Sequence, residues 1–280
     1  YPIVVGFTAG IALTIFSTQI NDFFGLGLTD VPGEFIPKWG LYLRSFGSVD
    51  ITTMAVGLLT LVITILTPRI SKKVPGALTA IVIVTAICAA AAHFMPGFSV
   101  ETIGARFGSM PTDLPEPHAL ALDMTTINNL LPWAFTIAVL GAIESLLSAT
   151  VADGITGSHT NSNTELIGQG MANIVVPFFG GIPVTGAIAR TMTNISNGGR
   201  TPVAGLVHAA VLLLIFLFAM PLINMVPMAC LAAVLMVVAY NMSGWRTVRA
   251  MLHTPKGDIS VLAITFLLTV IFDLTIAIEI

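Results

Sequence analysis

Charged side chains are scarce: Asp, Glu, Lys and Arg make up 9% of the 280 residues, against roughly 25% in soluble domains. So little charge cannot cover an ordinary water-facing surface. A basic excess is missing too, with 11 basic against 14 acidic residues, a net charge of -3 and no polybasic run. That sets aside a nucleic-acid partner and a polybasic membrane anchor. There are two cysteines, Cys88 and Cys230, both inside apolar runs, where they imply neither a disulfide framework nor a metal site. No Walker loop, dinucleotide-binding glycine fingerprint, nucleophile elbow or metal-ligand spacing occurs. ATP-driven pumping and intramembrane hydrolysis therefore lack their usual parts, and no enzyme activity, cofactor or metal is expected.

Hydrophobic types at 55% fill the place of the missing charge, in runs long enough for an integral membrane chain. A span needs roughly 20 mostly apolar residues, and a charge at mid-bilayer is costly, so the charge-free intervals do the segmentation. Tyr1 to Ile20, Ile51 to Pro68 and Val74 to Val100 predict three spans. Met124 to Ile143, Leu166 to Ala189, and Thr201 to Trp245 follow, the last holding two spans with a turn at Pro221 to Pro227. Ile259 to Ile280 closes a series of eight full-length segments, with Asp273 inside the final run as a weaker second candidate for an intramembrane acid. A short polar helix from Thr185 to about Asn197 is too short to cross alone. Continuous helix-length runs, rather than short alternating blocks, predict helices instead of a β-barrel.

Arg69, Lys72 and Lys73 crowd one connection and Arg246, Arg249 and Lys256 another, whereas acids prevail between Asp22 and Arg44 and between Glu101 and Asp123. The positive-inside rule puts the basic connections in the cytoplasm and the acidic loops outside, with residue 1 on the cytoplasmic side. The start lacks the charged region and cleavage site of a signal peptide, and the sequence reads as a fragment of a longer protein. The loop from Glu101 to Leu122, with Pro111, Pro115 and Pro117, is its natural division.

Two features do not belong in lipid. Glu144, in Leu140-Gly141-Ala142-Ile143-Glu144-Ser145-Leu146-Leu147-Ser148, would cost about 2.5–3.5 kcal/mol if ionised and facing lipid. It should face protein or a water-filled cavity. Ser148 at i+4 and Gly141 at i-3 share its helix face, which could receive a small ion. The competing reading is a structural carboxyl that ties two helices together. The second feature is Phe178-Phe179-Gly180-Gly181-Ile182-Pro183-Val184-Thr185-Gly186-Ala187-Ile188-Ala189-Arg190-Thr191. A span ends in Gly-Gly, a proline follows, and a short helix starts with Thr185 as N-cap. A helix beginning inside the membrane presents free N–H groups and its positive dipole end, and small residues let an anion approach. Arg190 adds a fixed charge. The competing reading is a kinked helix whose arginine snorkels or pairs with Glu144. Discontinuous helices at mid-membrane are the recurrent binding device of secondary transporters. Asp153, Thr156, His159, Asn161, Asn163 and Glu165 read as a solvated connection with helix caps, and His208 as a hydrogen-bonded core residue.

Taken together, these residues resemble the sulfate permease (SulP) family of anion transporters, in its bacterial dicarboxylate/sulfate/bicarbonate-type branch. The likeness is carried by Gly6-Phe7-Thr8-Ala9-Gly10-Ile11, by Leu140 to Leu147, by Asn163-Thr164-Glu165-Leu166-Ile167-Gly168-Gln169-Gly170, and by Pro177 to Gly181 leading into Gly186 to Arg190.

The resemblance implies an all-α polytopic membrane fold of seven plus seven segments in inverted repeats, commonly dimeric, often followed by a cytoplasmic STAS domain. On that pattern the chain holds segments five to thirteen. Residues 1–100 would be the last three spans of the first repeat, in the gate part, and 101–122 the extracellular loop. Residues 123–222 would be the first four segments of the second repeat, in the core part, and 223–280 its gate spans. The family's anion site lies between the half-helices of segments three and ten, beside segments one and eight, so half of it would be here. The expected function is secondary active transport of sulfate, bicarbonate or a C4-dicarboxylate by a homodimer in a cell membrane, such as a bacterial inner membrane. The anion would rest on the N–H groups of Gly186, Ala187, Ile188 and Ala189 with Arg190, while Glu144 and Ser148 handle a coupling proton or sodium. An anion channel and a non-transporting scaffold or motor-like relative are the alternatives.

Overall fold

A computed structural model of the chain describes residues 2–71, 74–108, 114–119, 123–196, 198–251 and 253–271. Lys72, Lys73, Pro111, Leu122, Asn197 and Asp273 lie outside them. The apolar runs form helices, and among the described residues there is no strand. In order these are α1 (Pro2–Thr18), α2 (Ile20–Phe24), α3 (Phe35–Ser45), α4 (Ile51–Ile70), α5 (Gly76–Phe94), α6 (Ile103–Phe107) and α7 (Met124–Thr156). There follow α8 (Ser162–Val175), α9 (Ile188–Ser196), α10 (Val203–Phe218), α11 (Met220–Ile223), α12 (Met228–Met242), α13 (Trp245–Met251) and α14 (Lys256–Ile271).

Local chemistry sets the helix ends. Asp50 caps α4 by accepting from the Thr52 and Thr53 N–H groups, and Asn161 caps α8 by accepting from Thr164 N–H. Such caps satisfy amides that have no intrahelical partner. Pro75 and Pro227 stand immediately before α5 and α12, where a missing N–H costs nothing.

Two compact units result. The first joins residues 1–111 to 219–280, and the second spans 112–218. In the first unit α1 packs on α14 and α12, and α4 packs on α5 and α12. Gly6 and Gly10, one turn apart, make the α1–α14 contact possible. A Cβ on Gly6 would sit 2.6 Å from the Leu262 carbonyl oxygen, and one on Gly10 would sit 2.7 Å from the Thr269 Cβ. Small residues at i and i+4 are what close helix approach in a membrane requires. The two separate stretches of this unit are also stitched by backbone: Ile103 N–H donates to Val226 O at 3.0 Å and Met228 N–H to Glu101 O at 2.9 Å. Cys88 and Cys230 are free thiols in one buried apolar cluster with Val56, Val84 and Ala229. In the second unit, α7 packs on α8 and α9.

Among the described residues, four helical stretches are long and apolar enough to cross a membrane by length and composition, Ile51–Ile70, Gly76–Phe94, Met124–Thr156 and Met228–Met251, with Val203–Phe218 a shorter apolar helix. The observed helices correct the expected segmentation in two places. The run from Leu166 to Ala189 is not one span: α8 and a 3-10 turn end at Phe179, and Gly180 closes the turn at φ 71°, a left-handed conformation glycine adopts without strain. The acidic stretch between Asp22 and Asp50 is not all loop, because it contains α3. Pro37 obscures that helix in the sequence but is tolerated in its first turn.

Candidate functional site

The second unit carries the break in the helical path. Residues 181–187 are non-helical and α9 starts at Ile188, three residues later than Thr185. Three sets of side chains hold this segment. From α8, Asn173 Nδ2 donates to Val184 O at 2.8 Å and its Oδ1 accepts Val184 N–H at 2.7 Å. The Gln169 amide, one turn earlier, also donates to Val184 O. From α7, the buried Ser145 Oγ lies 2.9 Å from Thr185 Oγ1 and accepts Gly186 N–H at 3.1 Å. Thr185 Oγ1 also meets Gly141 O at 2.8 Å. A turn further along α7, the buried Ser148 Oγ lies 2.8 Å from Thr191 Oγ1 on α9.

These contacts give the segment the polar partners that an interrupted helix needs in a non-aqueous setting. They also decide which amides remain. Gly186 N–H, expected among the anion-holding groups, is used by Ser145. The first i to i-4 bond of α9 runs from Thr191 N–H to Ala187 O at 2.9 Å. The amides of Ile188, Ala189 and Arg190 therefore precede the hydrogen-bonded ladder, at the positive end of the helix dipole. Arg190 is exposed, and among the described residues it makes no ion pair, with Glu144 or otherwise.

Glu144 is half-buried on α7 and lines a cavity of about 730 Å³ together with Gly141, Gln169, Asn173, Val184 and Thr185. The carboxyl thus shares a cavity wall with the broken segment. Ser148, expected beside Glu144 at a coupling ion, is not part of this lining; its hydroxyl turns to Thr191 instead. Ser145, Gln169, Asn173 and Thr191 had no expected role. The two amide side chains at i and i+4 within an apolar run were the available signal for a polar clamp.

The other polar positions are simpler. Asp153 accepts from Ser158 Oγ at 2.8 Å and from Thr160 N–H at 2.6 Å, ordering the connection before α8. His208 is exposed on α10 rather than hydrogen-bonded in a core.

The profile of the sulfate permease family matches residues 1–265. YvdB of Bacillus subtilis (strain 168) is 44% identical over 277 residues, covering 99% of this chain and 52% of its own length. The bicarbonate transporter BicA of Picosynechococcus is 33% identical over 280 residues, covering 99% and 48%. The chain thus spans about half the length of these relatives. Among solved structures, the transmembrane domain of a cyanobacterial BicA superposes with a TM-score of 0.79 at 27% identity, over 99% of this chain and 69% of that one. The anion transporter SLC26A9 superposes at 0.83 over 99% and 44%, with 18% identity, a likeness of fold. The fold is accordingly part of the seven-plus-seven inverted-repeat transmembrane domain. A multi-pass membrane chain, it is a member of the sulfate permease family.

Proposed function

We propose that this chain is part of a secondary active carrier for a small anion, with half of the anion site in residues 112–218. The observation that carries the proposal is the clamped break at residues 181–187. It leaves the amides of Ile188, Ala189 and Arg190 ahead of the helical ladder at the start of α9, in the turn that carries exposed Arg190, while Glu144 lines a cavity along the same segment. A helix dipole with a guanidinium suits sulfate, bicarbonate or a C4-dicarboxylate, and the bicarbonate transport of BicA agrees with that class. Residues 1–111 and 219–280 act as the gate part and residues 112–218 as the core part. Glu144 exchanges the coupling proton, since an intramembrane carboxyl on a cavity wall is a group that can be loaded and discharged as access alternates.

The test is labelled-anion uptake by the intact protein in proteoliposomes under separately imposed proton and sodium gradients. Glu144→Gln keeps size and hydrogen bonding but cannot exchange a proton. The variant is expected to bind anion and lose proton-driven uptake. Unaltered gradient dependence removes Glu144 from coupling, and loss of sodium stimulation alone reassigns it as a sodium ligand. Flux that fails to saturate or to accelerate with trans substrate replaces the carrier with a channel.

A further inference from the structure

The first unit contains a second polar cavity, of about 740 Å³, lined by Asn21, Asp22, Lys38, Tyr42, Glu101 and Arg106 among others. Its walls are rigidly built. Trp39 Nε1 donates to Ser17 Oγ at 3.0 Å, tying α3 to α1. The Asn21 amide exchanges two hydrogen bonds with the Leu28 backbone, each 3.1 Å, which fixes the turn that closes one side. Tyr42, 1% exposed, is anchored in the apolar cluster of Phe23, Ala232 and Met236.

Two acids and two bases line this cavity, but they are unevenly paired. Arg106 is bound by both carboxylates, at 2.9 Å from Asp22 and through a two-pronged contact with Glu101. Lys38 is 5% exposed and has neither an ion pair nor a side-chain hydrogen-bond partner among the described residues. It stands one helical turn before Tyr42, so the ammonium and the phenol line the cavity from one face of α3. The side chain is buried but its ammonium meets the cavity, and desolvation pushes the Lys38 group down from its ordinary value. A ligand that supplies an opposite charge can pair with it there.

We propose that this cavity binds a small monovalent anion at the Lys38 ammonium and the Tyr42 hydroxyl, as a site separate from the Glu144–Arg190 region. Asp22, Glu101, Arg106 and Lys38 sum to zero charge, so the unpaired Lys38 can balance one negative charge, and the two carboxylates, already engaged with one arginine, disfavour the second charge of a dianion such as sulfate.

The test uses the intact protein in detergent and the rate of Lys38 acetylation by acetic anhydride, resolved by mass spectrometry with exposed Lys256 as internal reference. Chloride or formate is expected to slow Lys38 acetylation severalfold without changing Lys256, while sulfate at matched ionic strength leaves it unaltered. Tyr42→Phe is expected to raise the anion concentration needed for half-protection, and Arg190→Ala to leave protection intact. Protection equal with sulfate, absent with both monovalent anions, or lost in Arg190→Ala overturns the separate site. The last of these outcomes still leaves the anion-carrier reading standing.

Discussion

Asn173 and Val184 exchange two hydrogen bonds through one side-chain amide, 2.8 Å to the Val184 carbonyl and 2.7 Å from its N–H. The amide imitates a neighbouring β-strand and satisfies both backbone groups of a residue that has left its helix. That satisfaction is what permits an interruption where water is scarce. Because α9 begins four residues later, the clamp also sets where its positive end lies.

Asn173→Ala is expected to leave the Val184 N–H unpaired, the carbonyl keeping only the Gln169 amide, and to destabilise the protein by about 1–3 kcal/mol. Asn173→Asp keeps the acceptor but sets an anion against the Val184 carbonyl. Both variants should weaken anion affinity as well as lower thermal stability. Full affinity in a folded Asn173→Ala protein would detach the clamp from the site.

Arg190→Ala is expected to weaken anion binding far more than a change on an exposed apolar position such as Leu213→Ala, where the side chain is 47% exposed. Arg190→Lys should also bind less well, since an ammonium is a point charge without the planar fork. Titration calorimetry of the intact protein decides it, and unchanged affinity in Arg190→Ala would sink the anion cradle.

Gly6→Leu and Gly10→Leu place side chains where Leu262 and Thr269 already stand. Overpacking of this kind costs typically 1–3 kcal/mol, occasionally more, so each variant should melt at a lower temperature. Gly33→Leu, where an added Cβ meets nothing within 4 Å, is the control expected to remain near the parent.

Asp50 tests an exposed cap. The Thr53 hydroxyl, and then the Thr53 and Thr52 amides, hold its carboxyl below the ordinary value. A depressed folded value means that the stabilisation is complete above the unfolded value, about 3.9. It is lost as pH falls through the lower folded one. Asp50→Ala is expected to cost about 1 kcal/mol at neutral pH, and the difference from the parent should vanish in strong acid. A parent-to-variant gap that persists unchanged there contradicts the cap.

Much of this architecture was legible without coordinates. Charge-free runs identified the membrane class, Gly180-Gly181 and Pro183 located the interruption, and Glu144 was conspicuous as an acid among apolar neighbours. These are local properties of composition and backbone chemistry, which a linear string records. Helix faces were not legible, because a helix apolar all round carries no periodic mark of what it packs against. Which amides stay available was settled by Ser145, 41 residues from Gly186, and by Gln169 and Asn173 reaching Val184. The unpaired charge of Lys38 likewise emerged only when α3 folded against α1 and Arg106 engaged both nearby carboxylates. Hydrogen bonds and burial depend on which distant segments meet. The sequence therefore determined the membrane class, the break and the anomalous residues, and tertiary packing decided their partners.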